Sequence, residues 1–400
     1  MAPNSTFKNG AWHGQIEAGG QFPPEAGRYH LYIGLFCPFA HRANLIRHLK
    51  GLTDIISLSI VKPYPKGDDN GYPGWKFPTA DDPYEGSTPD HLFGSTYLHE
   101  IYFKEKPDYK GRYSVPVLWD KKTNQLVNNE SLEILRNLNT RFNSILPDKY
   151  KSIDLYPEKL RGEIDEIGAW MQADLNSGVY KAGFAPDQET YDKNVVPVFG
   201  ALNQMEQVLA KNGGPYVLGL DLTELDLRLY PTIIRFDTVY VQHFKCNLGT
   251  IRHDYPLLNE WLKNLYWKLP GFKETTDFRH IKENYTKSHP GVNPKAITPL
   301  GPIPHIESGF EKDWSKIKPG KDGKPYILSL EAGPAHDDVR SQGYTLVAKS
   351  EFRTMEDMKF YDGECEAHQV LKAGVKSLGS EGVMTVYFNP EVSAAAASGV

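Results

Sequence analysis

The stretch Arg28-Tyr-His-Leu-Tyr-Ile-Gly-Leu-Phe36 leads directly into Cys37-Pro-Phe-Ala-His-Arg42, and together they decide the fold of the N-terminal part of the chain. The first segment is rich in aromatic and branched residues, which is typical of a buried strand. Pro38 suits the first turn of a helix, and apolar residues then recur at helical spacing from Leu45 to Leu52. The pattern therefore predicts a strand that passes into a helix, with Cys37 at the junction.

A cysteine at a helix amino terminus is a candidate nucleophile. The free N–H groups and the partial positive charge there lower the pKa of a thiol, and we expect His41 and Arg42 to add positive potential. Ala40 stands where the second cysteine of a C-x-x-C pair would be. The thiol of Cys37 must therefore form a mixed disulfide with a small thiol and be released by another. From the residues alone, a buried structural cysteine is an open alternative.

Two later elements strengthen this pattern. Val115-Pro116 lies inside a predicted strand, Tyr113 to Trp119, where proline requires a sheet edge, a bulge or a cis bond. Glu130-Ser131 opens a predicted helix, whose N–H groups and serine hydroxyl suit a carboxylate. An edge-strand proline and a simple helix cap are the ordinary interpretations of each element alone. With another strand at Ile55 to Val61, the order of elements predicts a small mixed sheet covered by helices.

The composition is that of a multidomain globular protein. The length of 400 residues exceeds one ordinary core, and 40% of the residues are hydrophobic. A net charge of -5 gives no electrostatic reason to expect nucleic acid or a membrane surface as a partner, and no apolar run is long enough to span a membrane. The first residues lack the apolar core of a secretion signal, and the three cysteines are widely spaced. We therefore expect a soluble, cytoplasmic protein.

The rest of the chain divides into a helical part and a mixed part. From about Pro157 to Phe272 the apolar spacing predicts helices, with a capping box at Thr223-Glu-Leu-Asp226. After a proline-rich bridge we predict strands at Tyr326 to Glu331, Tyr344 to Phe352 and Val383 to Phe388, and one or two helices between Met355 and Ser377. The predicted fold class is multidomain: α/β, then all-α, then α+β. The predicted boundaries are a loosely ordered arm at 1–27, an α/β domain at 28–145, an all-helical domain at 155–292, a linker at 293–307, an α+β domain at 308–392 and a tail at 393–400.

A family resemblance extends from about residue 28 to residue 302. The residues that carry it are Cys37-Pro-Phe-Ala-His-Arg42, Gly74-Trp-Lys-Phe77, Tyr109-Lys-Gly-Arg-Tyr-Ser-Val-Pro-Val-Leu-Trp-Asp120, Val127-Asn-Asn-Glu-Ser131, Gly178-Val-Tyr-Lys-Ala-Gly-Phe184, Arg235-Phe-Asp-Thr-Val-Tyr240, His243-Phe-Lys-Cys-Asn247, His280-Ile-Lys-Glu-Asn-Tyr285, Ser288-His289 and Ile297-Thr-Pro-Leu-Gly-Pro302. In this combination the chain resembles the cysteine-type glutathione transferases, and more narrowly the xi class, the glutathionyl-hydroquinone reductases. The resemblance implies a thioredoxin-like N-terminal domain and a helical C-terminal domain of the transferase type.

The resemblance also implies roles for particular residues. Cys37 is the implied nucleophile, and glutathione is the implied co-substrate, held by Cys37, Trp75, Val115, Pro116, Glu130 and Ser131. The backbone of Val115 pairs with the cysteine moiety of glutathione, and Glu130-Ser131 holds its γ-glutamyl end. The tyrosines implied to line the quinone side, and to donate hydrogen bonds to the ring hydroxyls, are Tyr180, Tyr240 and Tyr285. An ordinary core position is the alternative for each tyrosine.

The chain departs from the family pattern at two positions. Phe39 stands where the family commonly has tryptophan, and Thr286 stands where a second aromatic residue usually follows Tyr285. Both changes leave the implied chemistry intact and bear on which substrate fits.

The segment from about Ser308 to Val392 resembles the stress-responsive dimeric α/β-barrel (Dabb) family, which has a ferredoxin-like α+β fold. The residues that carry this resemblance are Leu328-Ser-Leu-Glu-Ala-Gly333, Gly343-Tyr-Thr-Leu-Val-Ala-Lys-Ser-Glu-Phe352, Met355-Glu-Asp357, Tyr361 and Ala367-His368. It implies a fold and an association surface, not an activity. His368 is a site candidate in some such domains, and a solvated or capping histidine is the interpretation we favour.

Three functional hypotheses follow. The first is a detoxification reaction, the glutathione-dependent reduction of glutathionyl-hydroquinones through a Cys37–glutathione mixed disulfide, with release of glutathione disulfide. The second is conjugation, isomerisation or tailoring of a small aromatic metabolite, and the third is a non-catalytic scaffold. We expect a homodimer. We expect no metal, because His243 and Cys246 have no further candidate ligands beside them.

Overall fold

The computed structural model of the chain describes residues 6–68, 70–301, 327–334, 346–352, 354–364 and 368–369. The chain divides into two compact units, Met1–Lys312 and Asp313–Val400, and each is described by itself. Among the described residues, no helix is both long enough and apolar enough to cross a membrane.

The N-terminal half of the first unit contains a four-stranded mixed sheet. Strand β3 (Tyr29–Ile33) lies at its centre, parallel to β4 (Ser57–Ile60) and antiparallel to β5 (Val117–Asp120), which pairs in turn with the antiparallel β6 (Gln125–Asn128). All five residues of β3 are buried, which explains its continuous run of large side chains. The helices of this domain are α1 (Pro38–Leu49), α2 (Leu98–Glu105) and α3 (Ser131–Thr140). This thioredoxin-like arrangement confirms the fold predicted for the N-terminal domain.

The N-terminal segment packs against this domain. It forms a hairpin of β1 (Phe7–Lys8) and β2 (Ala11–Trp12), and the buried anchors behind it are Trp12, Ile16 and Phe22. The Trp12 backbone N–H donates to Asn129 Oδ1 at 2.9 Å, next to the start of α3. The prediction of a loosely ordered arm is therefore wrong for residues 6–27. The three apolar anchors are too widely spaced to produce a helical or strand pattern.

The long insertion between β4 and α2 has little regular structure. The ammonium groups of Lys62 and Lys76 both reach the Asp82 carboxylate, at 2.5 and 2.8 Å. At its far end, His280 Nε2 of the helical domain donates to the carbonyl oxygen of Glu85 at 2.7 Å. Helix α2, which follows the insertion, is missing from the sequence prediction. It is short, and its start is fixed by the Glu100 carboxylate, which accepts a hydrogen bond from the backbone N–H of Tyr97 at 2.8 Å, the returning half of a capping box.

The second half of the first unit is helical, as predicted. The short α4 (Asp148–Lys151) is followed by α5 (Arg161–Trp170), α6 (Gly178–Gly183), α7 (Gln188–Asn212), α8 (Glu224–Arg235), α9 (Val241–His243), α10 (Ile251–Asp254), α11 (Pro256–Lys268) and α12 (Phe278–Lys287). The predicted capping box at Thr223 and Asp226 opens α8. Two π-helical segments, Met171–Asn176 and Phe236–Tyr240, continue α5 and α8. Such segments are frequent at functional sites.

A buried ion cluster joins the two halves of the first unit. Arg136 of α3 donates from Nε and Nη2 to the two carboxylate oxygens of Glu224, at 2.9 and 2.8 Å. Arg228, one turn further along α8, donates to the same carboxylate at 3.2 Å. The Glu224 side chain is fully buried, so these partners offset the free energy lost when its charge leaves water. The cluster fixes α3 against α8.

The second unit is described in part. Strands β7 (Ile327–Pro334) and β8 (Leu346–Phe352) pair in antiparallel register, and helix α13 (Met355–Gly363) follows. These elements agree with two predicted strands and the start of the predicted helical region. The predicted strand at Val383 to Phe388 and the tail lie outside the described residues. His368 stacks on Tyr361, with ring centroids 4.0 Å apart, and its Nδ1 donates to the Tyr361 carbonyl oxygen, as expected of a capping residue.

Candidate active site

Cys37 stands at the amino terminus of α1. Its backbone is extended, with φ -80° and ψ 121°, and Pro38 is the first helical residue. The thiol lies 3.5 Å from the carbonyl oxygen of Val115, to which it donates. The bond between Val115 and Pro116 is cis, one of the three possibilities raised by a proline in a strand. The fold thus brings two of the predicted sequence elements into contact.

The pKa of the Cys37 thiol is raised, whereas its position at a helix amino terminus predicted a lowered value. The side chain keeps part of its surface open to a cavity but is enclosed by protein elsewhere, and this desolvation raises the pKa of the thiol. The N–H groups of Ala40 and Phe39 lower the pKa, as do the charges of Arg235 and Arg42, but together they do not offset the burial. The groups that stabilise a thiolate are therefore in place, while the thiol is the main form at neutral pH.

Arg235, from the end of α8, holds the segment before the cysteine. Its Nε donates to the carbonyl oxygen of Phe36 and its Nη2 to that of Leu35, both at 3.0 Å. Its Nη1 donates to His41 Nδ1 at 3.1 Å, so His41 Nε2 carries the proton that it gives to Thr275 Oγ1. Sequence reasoning missed this role, because these contacts join residues almost 200 positions apart.

His41 is neutral, contrary to the expectation that it adds positive potential. Burial and the neighbouring charge of Arg235 hold the pKa of His41 well below its usual value. Arg42 does remain a cation, although burial lowers its pKa to about 9. It donates to Gln172 Oε1 at 3.0 Å and to Ser131 Oγ at 3.5 Å. Arg42 therefore connects the cysteine helix to the predicted γ-glutamyl site.

The other residues predicted to hold glutathione include Trp75 and the turn at the start of α3. Trp75 packs on Phe36, with ring centroids 4.4 Å apart, and the Lys66 ammonium lies 5.1 Å from the centre of the Trp75 ring. Glu130 is exposed and is the N-terminal cap of α3, which begins at Ser131. The Glu130 backbone N–H donates to Asn128 Oδ1 at 2.8 Å, which fixes the turn into the helix.

The three predicted tyrosines meet at their hydroxyl groups. Tyr285 of α12 is hydrogen-bonded through its hydroxyl to that of Tyr180 in α6, and it lies 3.1 Å from the hydroxyl of Tyr240 in the second π segment. Burial raises the pKa of all three phenols above the ordinary value. The cluster therefore consists of protonated hydroxyl groups that can donate to an oxygen on a substrate.

One cavity of about 700 Å³ joins the cysteine to this tyrosine cluster. Its lining includes Phe36, Cys37, Phe39, Lys66, Trp75, Tyr180, Phe184, Lys245, Asn284, Tyr285, Ser288 and His289. Tyr240 is fully buried and does not line the cavity, but it contacts two residues that do, Tyr285 and Tyr180. Other predicted residues lie outside its lining, namely Val115, Pro116, Glu130 and Ser131. The sequence prediction did not assign Lys66 or His289 to the site, although His289 belongs to a segment that carried the resemblance.

The two departures from the family pattern have different surroundings. Phe39 lines the cavity, 6.2 Å from Tyr180 between ring centroids, with the Arg42 guanidinium 4.9 Å from its ring centre. Thr286 is buried outside the cavity and shares a hydrogen bond of 2.7 Å with Thr298. Only the change at Phe39 therefore alters the shape of the site.

Within the described part of the chain, no group of three or more histidine, cysteine or acidic residues is arranged to hold a metal ion. His243 pairs with His289, not with Cys246, since His243 Nε2 and His289 Nδ1 are 3.1 Å apart. Cys246 is fully buried, and desolvation raises its pKa to about 12. Cys246 is therefore shielded, whereas Cys37 is open to the cavity.

Family models match the parts of the chain that build this site. The N-terminal domain of glutathione S-transferases matches residues 36–141, and the C-terminal domain of the same family matches residues 188–264. Glutathione S-transferase omega-like 2 of Schizosaccharomyces pombe is 53% identical over 287 residues, which cover 72% of this chain and 89% of that protein. The crystal structure of the xi glutathione transferase from Phanerochaete chrysosporium is 48% identical, with a TM-score of 0.70 over 74% of this chain and 98% of that chain. The chain belongs to the xi class of glutathione transferases.

Another relative of this xi-class chain is the glutathionyl-hydroquinone reductase YqjG of Escherichia coli. It is 43% identical over 294 residues, which cover 74% of this chain and 85% of that protein. The glutathione-bound structure of YqjG has a TM-score of 0.70 at 40% identity, covering 78% of this chain and 98% of that chain. In addition to the two transferase domains, this xi-class chain contains a stress responsive A/B barrel domain, whose family model matches residues 305–387.

Proposed function

We propose that this xi-class protein is an enzyme that uses glutathione to reduce glutathionyl-hydroquinones to hydroquinones. The observation that carries the proposal is the single cavity shared by the Cys37 thiol and the hydroxyl groups of Tyr180 and Tyr285. A thiol that attacks sulfur and phenols that donate to ring oxygens are the two kinds of group that this reaction needs. The relative YqjG, a glutathionyl-hydroquinone reductase, supports the same type of reaction.

The first step transfers the glutathionyl group to the enzyme. The Cys37 thiolate attacks the sulfur that joins glutathione to the ring, so a sulfur–sulfur bond forms and the carbon–sulfur bond breaks. The ring reacts as its keto tautomer, in which the carbon that bears sulfur already carries a hydrogen, so the electron pair of the broken bond passes through the ring onto the adjacent oxygen. That oxygen takes up the proton that Cys37 loses, which restores the hydroquinone. The hydroquinone leaves, and the enzyme holds a Cys37–glutathione mixed disulfide.

The second step regenerates the thiol. A second glutathione thiolate attacks the glutathione sulfur of the mixed disulfide, and Cys37 departs as the thiolate and recovers a proton. Glutathione disulfide is the product, so the two glutathione sulfurs are oxidised, and the two electrons that they lose reduce the ring carbon that had carried sulfur. Positive charge from Arg235 and Arg42 stabilises Cys37 both as attacking and as leaving thiolate.

The bound substrate spans the proposed glutathione site and the tyrosine cluster, with Cys37 between them. Trp75, the Val115 backbone and the Glu130-Ser131 turn hold glutathione, while the tyrosine hydroxyls donate to the ring oxygen next to the carbon–sulfur bond. That oxygen gains negative charge as the bond breaks, so donors placed beside it in advance lower the barrier. The enzyme is a cytoplasmic homodimer that needs no metal, and its reaction serves detoxification.

The deciding experiment measures glutathione disulfide released from the glutathione adduct of menadiol. Wild type is compared with Cys37→Ser, and Cys246→Ser serves as a matched control because that thiol is buried outside the cavity. We expect turnover to disappear in Cys37→Ser and to persist in Cys246→Ser. No turnover by a folded wild type that binds glutathione in calorimetry would refute the reductase.

A second candidate is the tailoring of a small aromatic metabolite with glutathione. A stretch of 76 residues is 49% identical to the Fusaristatin A biosynthesis cluster protein of Gibberella zeae and covers 55% of that protein. A lone cysteine disfavours simple conjugation, which needs a hydroxyl group to stabilise glutathione thiolate. Isomerisation of an aromatic metabolite without glutathione disulfide release would favour this candidate.

A further inference from the structure

Two histidines beside the tyrosine cluster have no part in the proposed reaction. His289 lines the cavity, four residues after Tyr285 and just beyond α12. Its Nδ1 lies 3.1 Å from Nε2 of His243, so one nitrogen donates its proton to the other. His243 comes from α9 and is 3% exposed. The pair therefore joins the cavity wall to a buried position in a neighbouring helix.

Aromatic neighbours restrict the orientation of the His289 ring. The ring centroids of Phe184, Tyr285 and Phe244 lie 4.9, 5.7 and 6.1 Å from that of His289. Since Nδ1 is engaged by His243, Nε2 is the remaining polar atom of the His289 side chain. A polar atom set among aromatic rings in a ligand-sized cavity is suited to fix the orientation of a bound ring.

Both imidazoles are neutral at neutral pH. Burial lowers the pKa of His289 to about 4, with the nearby His243 and Lys66 adding to the effect. The pKa of His243 is also lowered to about 4, by burial first and then by Lys245. A neutral pair with one shared proton presents a hydrogen-bonding nitrogen to the cavity without adding a charge.

The substrate class proposed above has two ring oxygens with different roles. The oxygen next to the carbon–sulfur bond gains charge as the bond breaks, and it is the oxygen to which the tyrosine hydroxyls donate. The farther oxygen takes no part in the electron flow, so a group that binds it affects affinity and specificity and not the chemical step.

We infer that His289 is a specificity-determining residue that hydrogen-bonds the farther ring oxygen of the hydroquinone, and that His243 is the positioning residue that holds it. The inference rests on the proposed reductase function. It predicts that the enzyme discriminates hydroquinones from their monoethers and from simple phenols, because a blocked or missing oxygen leaves Nε2 without a partner.

The test compares three glutathionylated substrates. The first is a glutathionyl-hydroquinone, the second is the same compound methylated on the farther oxygen, and the third is the mixed disulfide of glutathione with 2-mercaptoethanol. The third requires Cys37 and glutathione binding but has no ring. The variants are His289→Phe, which keeps an aromatic ring, His289→Asn, which restores a polar atom, and His243→Phe. His91→Phe is the matched control, since His91 is exposed and outside the cavity lining.

In His289→Phe we expect kcat/KM for the hydroquinone adduct to fall by about tenfold, mostly through KM, and discrimination against the monoether to disappear. We expect His289→Asn to recover part of that discrimination, and His243→Phe to reduce it by a smaller factor. His91→Phe should behave like wild type.

Two outcomes overturn the inference while leaving the reductase intact. One is a wild type that turns over the hydroquinone adduct and its monoether equally well. The other is an equal loss in His289→Phe on all three substrates, which would indicate a general structural role. If the wild type turns over the mixed disulfide but neither ring substrate, the proposed function itself fails.

Discussion

Arg235 donates from Nε to the carbonyl oxygen of Phe36 at 3.0 Å, one residue before the cysteine. The guanidinium belongs to the helical domain and the carbonyl to the thioredoxin-like domain, so one fully buried side chain fixes the active-site turn from the neighbouring domain. The same guanidinium lowers the pKa of Cys37 through its charge. The position of Cys37 and the ionisation of its thiol therefore depend on a residue outside the domain that carries the cysteine.

Replacing Arg235 with methionine should destabilise the first unit. The change removes several charged hydrogen bonds to buried carbonyl groups, and we expect the free energy of unfolding to fall by about 3 kcal/mol. Urea denaturation followed by circular dichroism would measure it. Arg279→Met is the control, since Arg279 is 56% exposed and forms surface ion pairs, so the expected loss is below about 1 kcal/mol. Equal losses in the two variants would contradict the anchoring role.

The reactivity of Cys37 should increase with pH across an elevated midpoint. Because burial raises the pKa, alkylation by iodoacetamide should follow a midpoint above about 8.5, the ordinary thiol value. A nearby cation favours the thiolate, so Arg42→Met should raise the midpoint further and slow alkylation at pH 8. Labelled peptides analysed by mass spectrometry would separate Cys37 from Cys246. A midpoint at or below the ordinary value would mean that the helix amino terminus outweighs burial.

Tyr285→Phe should impair ring substrates selectively. The Tyr285 hydroxyl contacts both Tyr180 and Tyr240, so its loss breaks the cluster at its centre. Removal of an oxyanion donor commonly lowers kcat by about 100-fold, and we expect 10- to 100-fold for the hydroquinone adduct. Tyr240→Phe should have a smaller effect, because Tyr240 does not line the cavity.

Steady-state kinetics on the hydroquinone adduct and on the 2-mercaptoethanol mixed disulfide would test the tyrosine prediction. The mixed disulfide has no ring oxygen, so its turnover should change little in Tyr285→Phe. A similar loss on both substrates would assign Tyr285 a structural role instead.

Trp12→Ala should destabilise the first unit strongly, although Trp12 lies near the chain terminus. Its ring is 1% exposed and packs against Phe7, Tyr102 and Tyr109. Truncating a buried tryptophan commonly costs 3–5 kcal/mol, and we expect about 3 kcal/mol here. Leu220→Ala is the control, because Leu220 is 84% exposed and should change stability by less than about 0.5 kcal/mol. A negligible effect of Trp12→Ala in chemical denaturation would support a loosely ordered arm after all.

Local features of this protein were predictable from the amino-acid sequence. Each of these features depends on neighbouring residues, whose propensities and spacing can be read from the sequence. They include the strand before Cys37, the helix that begins at Pro38 and the capping box at Thr223. The choice of Cys37 as the candidate nucleophile rests on the same kind of local pattern and stays a prediction. Helix α2 was missed because its capping residue is Tyr97, which is not a typical helix-starting residue.

How these features combine depends on the packing of the folded chain. The hydroxyl groups of Tyr180 and Tyr285 meet across 105 positions of sequence, and the imidazoles of His243 and His289 meet across 46. No periodicity encodes such contacts, because they depend on how whole helices pack. The pKa of Cys37 shows the same limit: its helix position predicted a decrease, and desolvation by distant parts of the chain produced an increase. Burial and long-range charge are properties of the folded chain, so they could not be read from the residues around Cys37.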